Sequence, residues 1–466
     1  MKKIVLSIVT FLFSITAFGQ DIPGQWNGIL KVQGTQLRIV FNITKTESGY
    51  TSTMDSPDQA VTGIPVTTAN FENSILKLAI VNMSIEYEGK LENDNKIIGN
   101  FKQGGLSFPM DLSKGVIEKE KIIRPQEPVK PYPYYSEEIT FENSSAGITL
   151  AGTLTLPKKE GVYSAVVLIS GSGPQNRDEE VFGHKPFLVL SDYLTKNGIA
   201  VLRYDDRGTA SSKGVFKTAT SMDFSTDAEA ALKYLQTRKE INKKKIGLIG
   251  HSEGGIIAPI IAGNSKDVSF IVLLAGTGIQ GYQLLLMQQE LIGRASGISD
   301  ADLLKANALS KGAFDIIINT EDSDQLNTQL TDYLIQNSKD NPSSNKPEGV
   351  SDEDFVKFQV SQITSPWMKC FIKYDPSNAL EKVKCPVLAI NGEKDLQVPP
   401  KENLEAIGKA LAKGGNKKVT CKELPNMNHM LQECKTGLPA EYPNIENTIS
   451  PVALSEILGW IQDQTK

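Results

Sequence analysis

Residues 247 to 259 read GLIGHSEGGIIAP, an apolar run broken by glycines with one serine at its centre. Gly250, Ser252 and Gly254 form G-x-S-x-G. The run KIGLI before them and the helix-compatible run after them supply the strand–turn–helix setting in which a serine is exposed as a nucleophile. Glycines are required there because side chains at the flanking positions would strike the neighbouring strand and helix, while the serine itself adopts a strained backbone conformation. The hydroxyl then stands at the carboxyl edge of a sheet and at the positive end of a helix, where developing negative charge is favoured.

A serine hydroxyl alone is a weak nucleophile; it needs a base, and the base needs an orienting acid. After such an elbow these follow in the order Ser, Asp or Glu, His. The chain has three histidines. His184 lies upstream and His251 sits inside the elbow, so His429, in LPNMNHML after the apolar run KKVTCKEL, is the base in the required order. The acid is Asp395, three residues past Gly392 at the end of CPVLAING, where its carboxylate reaches the far imidazole nitrogen; Glu393 is its competitor. An oxyanion needs two N–H donors. One is the amide of Glu253, and the second comes from the loop GSGPQNRDE after SAVVLIS, assigned to Ser172 with Gly173 as the second choice.

These groups need a sheet that aligns them. From about residue 137 a β hairpin, EEITFENSSAGITLAGTLTLP, is followed by the apolar runs SAVVLIS, GIAVLRYD, KIGLIG, SFIVLLAG and CPVLAING. Helix-like segments near 185–196, 222–238 and 253–264 separate them, which predicts a mostly parallel α/β sheet buried on both faces. About a hundred residues after the sixth strand break the alternation and read as a helical insertion over 278–376, with a mobile loop in NSKDNPSSNKPEGVSDED. Residues 21–118 alternate apolar and polar positions between Gly and Asn turns, predicting a separate antiparallel β meander of seven or eight strands, closed or nearly so. Prolines at 125, 128, 131 and 133 mark a linker over 119–136. The α/β domain thus comprises 137–277 and 377–466.

At 466 residues the chain has room for two or three cores, and a net charge of −5 points to neither nucleic acid nor an anionic membrane as partner. Lys2 and Lys3 precede the apolar run IVLSIVTFLFSITAF, so residues 1–20 read as a signal peptide cut near Gly19 or Gln20, and the protein as exported, periplasmic or secreted. A membrane anchor is disfavoured by Ser7, Thr10, Ser14 and Thr16 within a short run. Export permits disulfides among Cys370, Cys385, Cys421 and Cys434, whose pairing the spacing leaves open alongside free buried thiols. No H-E-x-x-H and no lysine-bearing phosphate loop occurs, so neither metal nor cofactor is called for.

The segments SGSGPQNRDE, RYDDRGTASS, IGLIGHSEGG, VLAINGEKDLQVP and LPNMNHML, in this order over about 300 residues, resemble the α/β-hydrolase superfamily. The likeness is greatest to bacterial carboxylesterases grouped with serine aminopeptidase-like hydrolases. It implies Ser252, Asp395 and His429 as nucleophile, acid and base, the β-rich domain as an accessory module, and the insertion as a cap over the active site. His184, in FGHKPF, belongs to a segment familiar in these esterases and is implied to be structural or pocket-lining. One departure is Ala210, where a second glycine is usual, which puts that turn in doubt. The leading expectation is hydrolysis of small carboxylic esters. An aminopeptidase or amidase with the same triad is the alternative and needs an acidic group near the pocket to hold an α-amine. A binding protein acting through its β domain is the third.

Overall fold

The computed structural model describes residues 22–32, 35–57, 61–103, 106–115, 124–340 and 351–466. The expected signal peptide, and most of the expected mobile loop, lie outside them. The chain divides into two compact units, one ending at Lys119 and the other beginning at Glu120.

The first unit is an antiparallel sheet of β1 (Gly24–Val32), β2 (Thr35–Thr46), β3 (Gly49–Ser56), β4 (Val61–Pro65), β5 (Thr68–Glu72), β6 (Ile75–Ile80), β7 (Ile85–Asn93), β8 (Lys96–Gln103), β9 (Leu106–Pro109) and β10 (Leu112–Ser113). The order is β4-β3-β2-β1-β10-β8-β7-β6-β5, with β9 paired to β8. The ends of that path, β4 and β5, are consecutive in the chain. Between them the Val66 N–H donates to Ser52 O of β3 and the Thr67 N–H to Ala79 O of β6, so this segment spans the seam. Ten strands replace the seven or eight expected, because VTGIP and TANFE are too short and too poor in apolar residues to show a period, and Pro109 splits the last segment in two. One face closes over Trp26, Phe41, Tyr87 and Phe101, all fully buried.

The second unit is an eight-stranded sheet: β11 (Tyr135–Asn143), β12 (Ile148–Leu156), β13 (Tyr163–Ile169), β14 (Ala200–Tyr204), β15 (Ile241–His251), β16 (Phe270–Leu274), β17 (Val387–Gly392) and β18 (Val419–Leu424). Its order is β11-β12-β14-β13-β15-β16-β17-β18. Only β12 runs against its neighbours. This is the α/β-hydrolase arrangement. Successive residues of the central strands face opposite cores: Val167, Ile169, Leu248 and Leu273 pack toward α2 (Ser221–Thr237), α3 (Gly254–Asn264) and α10 (Pro400–Lys413). Val166, Leu168, Ile249 and Val272 pack toward α1 (Pro186–Lys196) and α11 (Pro451–Thr465). A strand buried on both sides needs apolar residues at every position, which is why these runs show no alternation. Each such side chain contributes about 1.5–3 kcal/mol.

Between β16 and β17 stand α4 (Gly281–Ala295), α5 (Asp300–Asn319), α6 (Ser323–Asp340), α7 (Asp352–Ile363) and α8 (Pro366–Lys373), followed by the short α9 (Ser377–Leu380). The insertion has a core of its own around Phe314, Ile317, Leu330 and Val356. Within the stretch read as linker, Arg124 is anchored to the second unit, its guanidinium donating to the carbonyls of Gly183, Ile445 and Pro443. The four cysteines are free thiols, and burial pushes Cys385 up to about 11.

The loop after β14 keeps its turn despite lacking the second glycine. Ala210 takes φ 47°, in the left-handed region that costs an L-residue about 1–2 kcal/mol. Glycine removes that strain but loses about 0.4–1 kcal/mol through its freer unfolded chain. Ala210→Gly is therefore expected to raise the unfolding free energy by about 0.5–1 kcal/mol. Urea denaturation of the two proteins checks this, and an unchanged or lower midpoint would show an unstrained turn.

Candidate active site

β15 runs straight into the elbow. Ser252 sits at φ 52°, its N–H donating to Leu274 O at 2.9 Å, and α3 begins two residues later. A Cβ on Gly250 would stand 2.0 Å from Gly254 O, and one on Gly254 would stand 2.2 Å from Ile169 O. Strand and helix approach too closely at these two positions for any side chain, as the spacing predicts. Ser252 is half-buried, whereas His251 and Glu253 on either side of it are buried.

His429 lies in the loop after β18. Its Nδ1 is 2.8 Å from Asp395 Oδ2, in the loop after β17. The other carboxylate oxygen, Oδ1, accepts the N–H groups of Gln397 and Val398, both at 2.8 Å. Three donors engage both oxygens of this buried side chain and keep it from rotating. Nδ1 of His429 is thereby the protonated nitrogen, leaving Nε2 to take a proton. Glu393, the competitor, accepts the Asn426 N–H and braces the turn.

Ser252, His429, Glu253 and Ser172 line one cleft of about 80 Å³. Thr277, Gln288, Gln397 and Val398 share it, and Leu284, Leu285, Trp367 and Phe371 of the insertion cover it. Among the described residues, the amides of Ser172 and Glu253 have no protein acceptor. Gly173, the second choice as oxyanion donor and a possible pocket residue, and His184 both lie elsewhere. Gly173 turns at φ 96° outside the cleft lining. His184 is buried behind it, Nε2 donating to Tyr442 O and Nδ1 meeting the Thr448 hydroxyl. Burial pushes His184 down to about 4, only partly opposed by the Tyr442 carbonyl, so it is a neutral structural imidazole.

Three further buried acids surround the elbow. Glu253 Oε1 accepts from the Ser221 hydroxyl at 2.6 Å and from the Trp367 indole at 2.8 Å, linking the elbow to α8 of the insertion. Burial pushes its carboxyl up, and the two hydrogen bonds pull it part of the way back. Glu179 Oε1 accepts the Gly171 N–H at 2.8 Å and lies 2.8 Å from His251 Nδ1. Asp206, after β14, accepts from the Ser170 hydroxyl at 2.8 Å and the Gln175 N–H at 2.9 Å, so it grips both sides of the Ser172 loop. No motif marks the side-chain roles of these three, because their partners come from distant parts of the chain. The available signal was acidic residues beside G-S-G and after a strand, in RDE and DD.

Residues 121–418 match the family described as X-Pro dipeptidyl-peptidase (S15 family). Esterase EstD of Thermotoga maritima is 32% identical over 142 residues, 30% of this chain and 34% of that protein. An uncharacterized protein of Pseudomonas aeruginosa is 29% identical over 136 residues, 29% of this chain and 35% of that protein. The chain thus spans about a third of the length of the curated relatives it matches. A solved esterase of Pyrococcus furiosus aligns with a TM-score of 0.42 at 15% identity, covering 74% of this chain and 97% of that one. Est1E of Butyrivibrio proteoclasticus, with ferulic acid bound, aligns at 0.40 and 15%, covering 70% and 97%.

Burial pushes Asp206 up to about 8, with its two hydrogen bonds opposing and the charges of Glu253 and Glu179 reinforcing the shift. An acid whose folded pKa is raised contributes stability that is fully present below its unfolded value, near 4, and lost as pH rises toward the folded one. Asp206→Asn imitates the protonated acid and does not titrate. Relative to that variant, the wild type is expected to lose stability steadily from about pH 4 to about pH 8 and then level off. Chemical denaturation at pH 5, 7 and 9 checks the slope, and a constant difference between the two proteins would contradict it.

Proposed function

The chain belongs to the X-Pro dipeptidyl-peptidase (S15) family and is an α/β hydrolase, and we propose that it cleaves small carboxylic esters through an acyl-enzyme on Ser252. The observation that carries this reading is the Asp395–His429 pair at 2.8 Å, opening on the cleft that Ser252 also lines. Ser252 Oγ attacks the carbonyl carbon while its proton passes to His429 Nε2. The carbonyl π electrons move to oxygen, and that oxyanion takes the N–H groups of Glu253 and Ser172. The intermediate collapses, the alcohol leaves with the proton from His429, and a water molecule repeats the sequence to release the acid. Asp395 stays charged throughout and accepts from the Nδ1–H.

The small cleft and its apolar cover support short acyl groups. The relatedness to EstD, an esterase, supports ester over amide. Export rests on the first twenty residues alone; no helix among the described residues is long and apolar enough to cross a membrane. One observation favours the aminopeptidase reading: the acidic group it requires exists in Glu253, which lines the cleft beside Ser252, and the matched family is described as a dipeptidyl-peptidase. Against it, Glu253 is already engaged by Ser221 and Trp367, and burial disfavours its charge.

Ser252→Ala is expected to lower kcat on p-nitrophenyl acetate by about 10⁴-fold or more. Asp395→Asn, which reverses the imidazole tautomer, should lower it by about 10⁴-fold. Both variants should retain the wild-type far-UV spectrum, and activity surviving in Ser252→Ala would refute the mechanism. Purified wild type should turn over p-nitrophenyl acetate faster than an alanyl p-nitroanilide; the reverse ranking would favour the aminopeptidase.

A further inference from the structure

His251 occupies the position just before the proposed nucleophile, and the mechanism above does not use it. Its ring is buried. Nδ1 lies 2.8 Å from Glu179 Oε1, and Nε2 lies 3.1 Å from the main-chain carbonyl of His429. A carbonyl can only accept. The same Glu179 oxygen already takes the Gly171 N–H at 2.8 Å, as a carboxylate acceptor would. An imidazole whose two neighbours both accept satisfies them only with a proton on each nitrogen. His184 shows the contrast, since a hydroxyl that can donate faces its Nδ1 and the ring is neutral.

We propose that His251 is a positioning residue, a standing imidazolium paired with Glu179 that clamps the Ser172 loop and the His429 loop onto the elbow. The clamp has three arms. Glu179 holds Gly171, the residue before the proposed oxyanion donor Ser172. The Nε2–H holds the backbone of His429, the proposed base, whose ring lies 5.0 Å from that of His251. The backbone of His251 itself runs into Ser252. Glu179 also takes φ 51°, a left-handed conformation that a non-glycine residue keeps only when its surroundings demand it.

The charged and titratable groups facing the ring are Glu179, His429 and, at longer range, Asp395. Pro186, Phe187 and Leu190 of α1, Leu274 of β16, and Met430, Leu431 and Ile449 pack apolar side chains around the pair, and the buried Asp206 after β14 lies within charge range of Glu179. Burial works against the charge on His251, but Glu179 outweighs it, and the pKa is raised above the ordinary value. The imidazolium arm of the clamp is therefore present below that raised pKa and is lost as pH rises through it.

The proposal rests on the serine-hydrolase reading for its kinetic consequences but not for its charge state. Full-length wild type labelled with ¹⁵N-histidine should show one of its three histidines with both ring nitrogens protonated at pH 7.5, beside a neutral His184. Glu179→Gln should turn the first signal neutral at the same pH. A neutral His251 in the wild type overturns the proposal whether or not the protein hydrolyses anything. On p-nitrophenyl acetate, His251→Gln is expected to lower kcat per titratable serine by about 10²-fold, the scale of an ångström's misplacement, with KM changed less than about threefold. Counting sites with a covalent serine probe separates this from partial unfolding, and an undiminished kcat per site would likewise refute the clamp. Glu179→Gln should move the alkaline loss of kcat to lower pH.

Discussion

Ser252 is held at φ 52° between a strand buried on both faces and a helix that starts two residues later, a conformation costing a serine about 1–2 kcal/mol. Such a residue persists only where its surroundings leave no alternative, and here they do not. The Ser252 N–H is pinned to β16, and Gly250 and Gly254 bring strand and helix to a separation that excludes a methyl group on either. Gly171 lies against the serine, where a Cβ would come within 3.2 Å of Ser252 Cβ. The doubly covered sheet supplies the rigidity that this corner needs, since more than thirty buried residues in one core and more than twenty in the other oppose any relaxation. The loops after β13, β14, β17 and β18 end at the same edge and converge on the corner.

Convergence at one edge also concentrates charge. Asp206, Glu179, Glu253 and Asp395 are all buried close to the elbow, and an unpaired buried carboxylate costs several kcal/mol. Each is resolved differently. Asp395 is held by two amides and an imidazole, and Glu179 faces His251 and an amide. Asp206 is pushed up to about 8, because its burial beside other acids outweighs two neutral donors. Glu253 lies between these extremes, with a hydroxyl and an indole on one oxygen. Four acids of the same chemistry are thus accommodated by four different sets of donors.

The residue types at the corner and their order in the chain were legible because each obeys a local rule: close approach demands glycine, and apolar strands end where polar loops begin. β13 through β17 could be read from their largely apolar runs, and α1 to α3 from the helix-like segments between them. What could not be read depended on partners far away in sequence. Glu179 meets His251 across 72 positions and Trp367 meets Glu253 across 114, and neither has a periodic or spaced signature. Which of the two roles expected of His184, structural or pocket-lining, it takes was hidden for the same reason: its partners Tyr442 and Thr448, which make it structural, lie some 260 residues later. β4 and β5 escaped because a five-residue strand at a seam buries too little to impose alternation.

Trp367 ties these points together. It stacks on Phe371 at 5.1 Å, and both rings cover the cleft while the indole N–H reaches Glu253. Glu253 therefore joins two functions in one residue, its side chain anchoring the insertion and its main-chain N–H opening on the cleft beside Ser252. A shift of α8 that broke the indole bond would leave Glu253 Oε1 with the Ser221 hydroxyl alone, in a site where burial already disfavours its charge. The cost of such a shift falls on the same peptide that carries the amide. The part of the insertion that covers the cleft and the residue that carries that N–H are thus joined directly through a single buried carboxyl group.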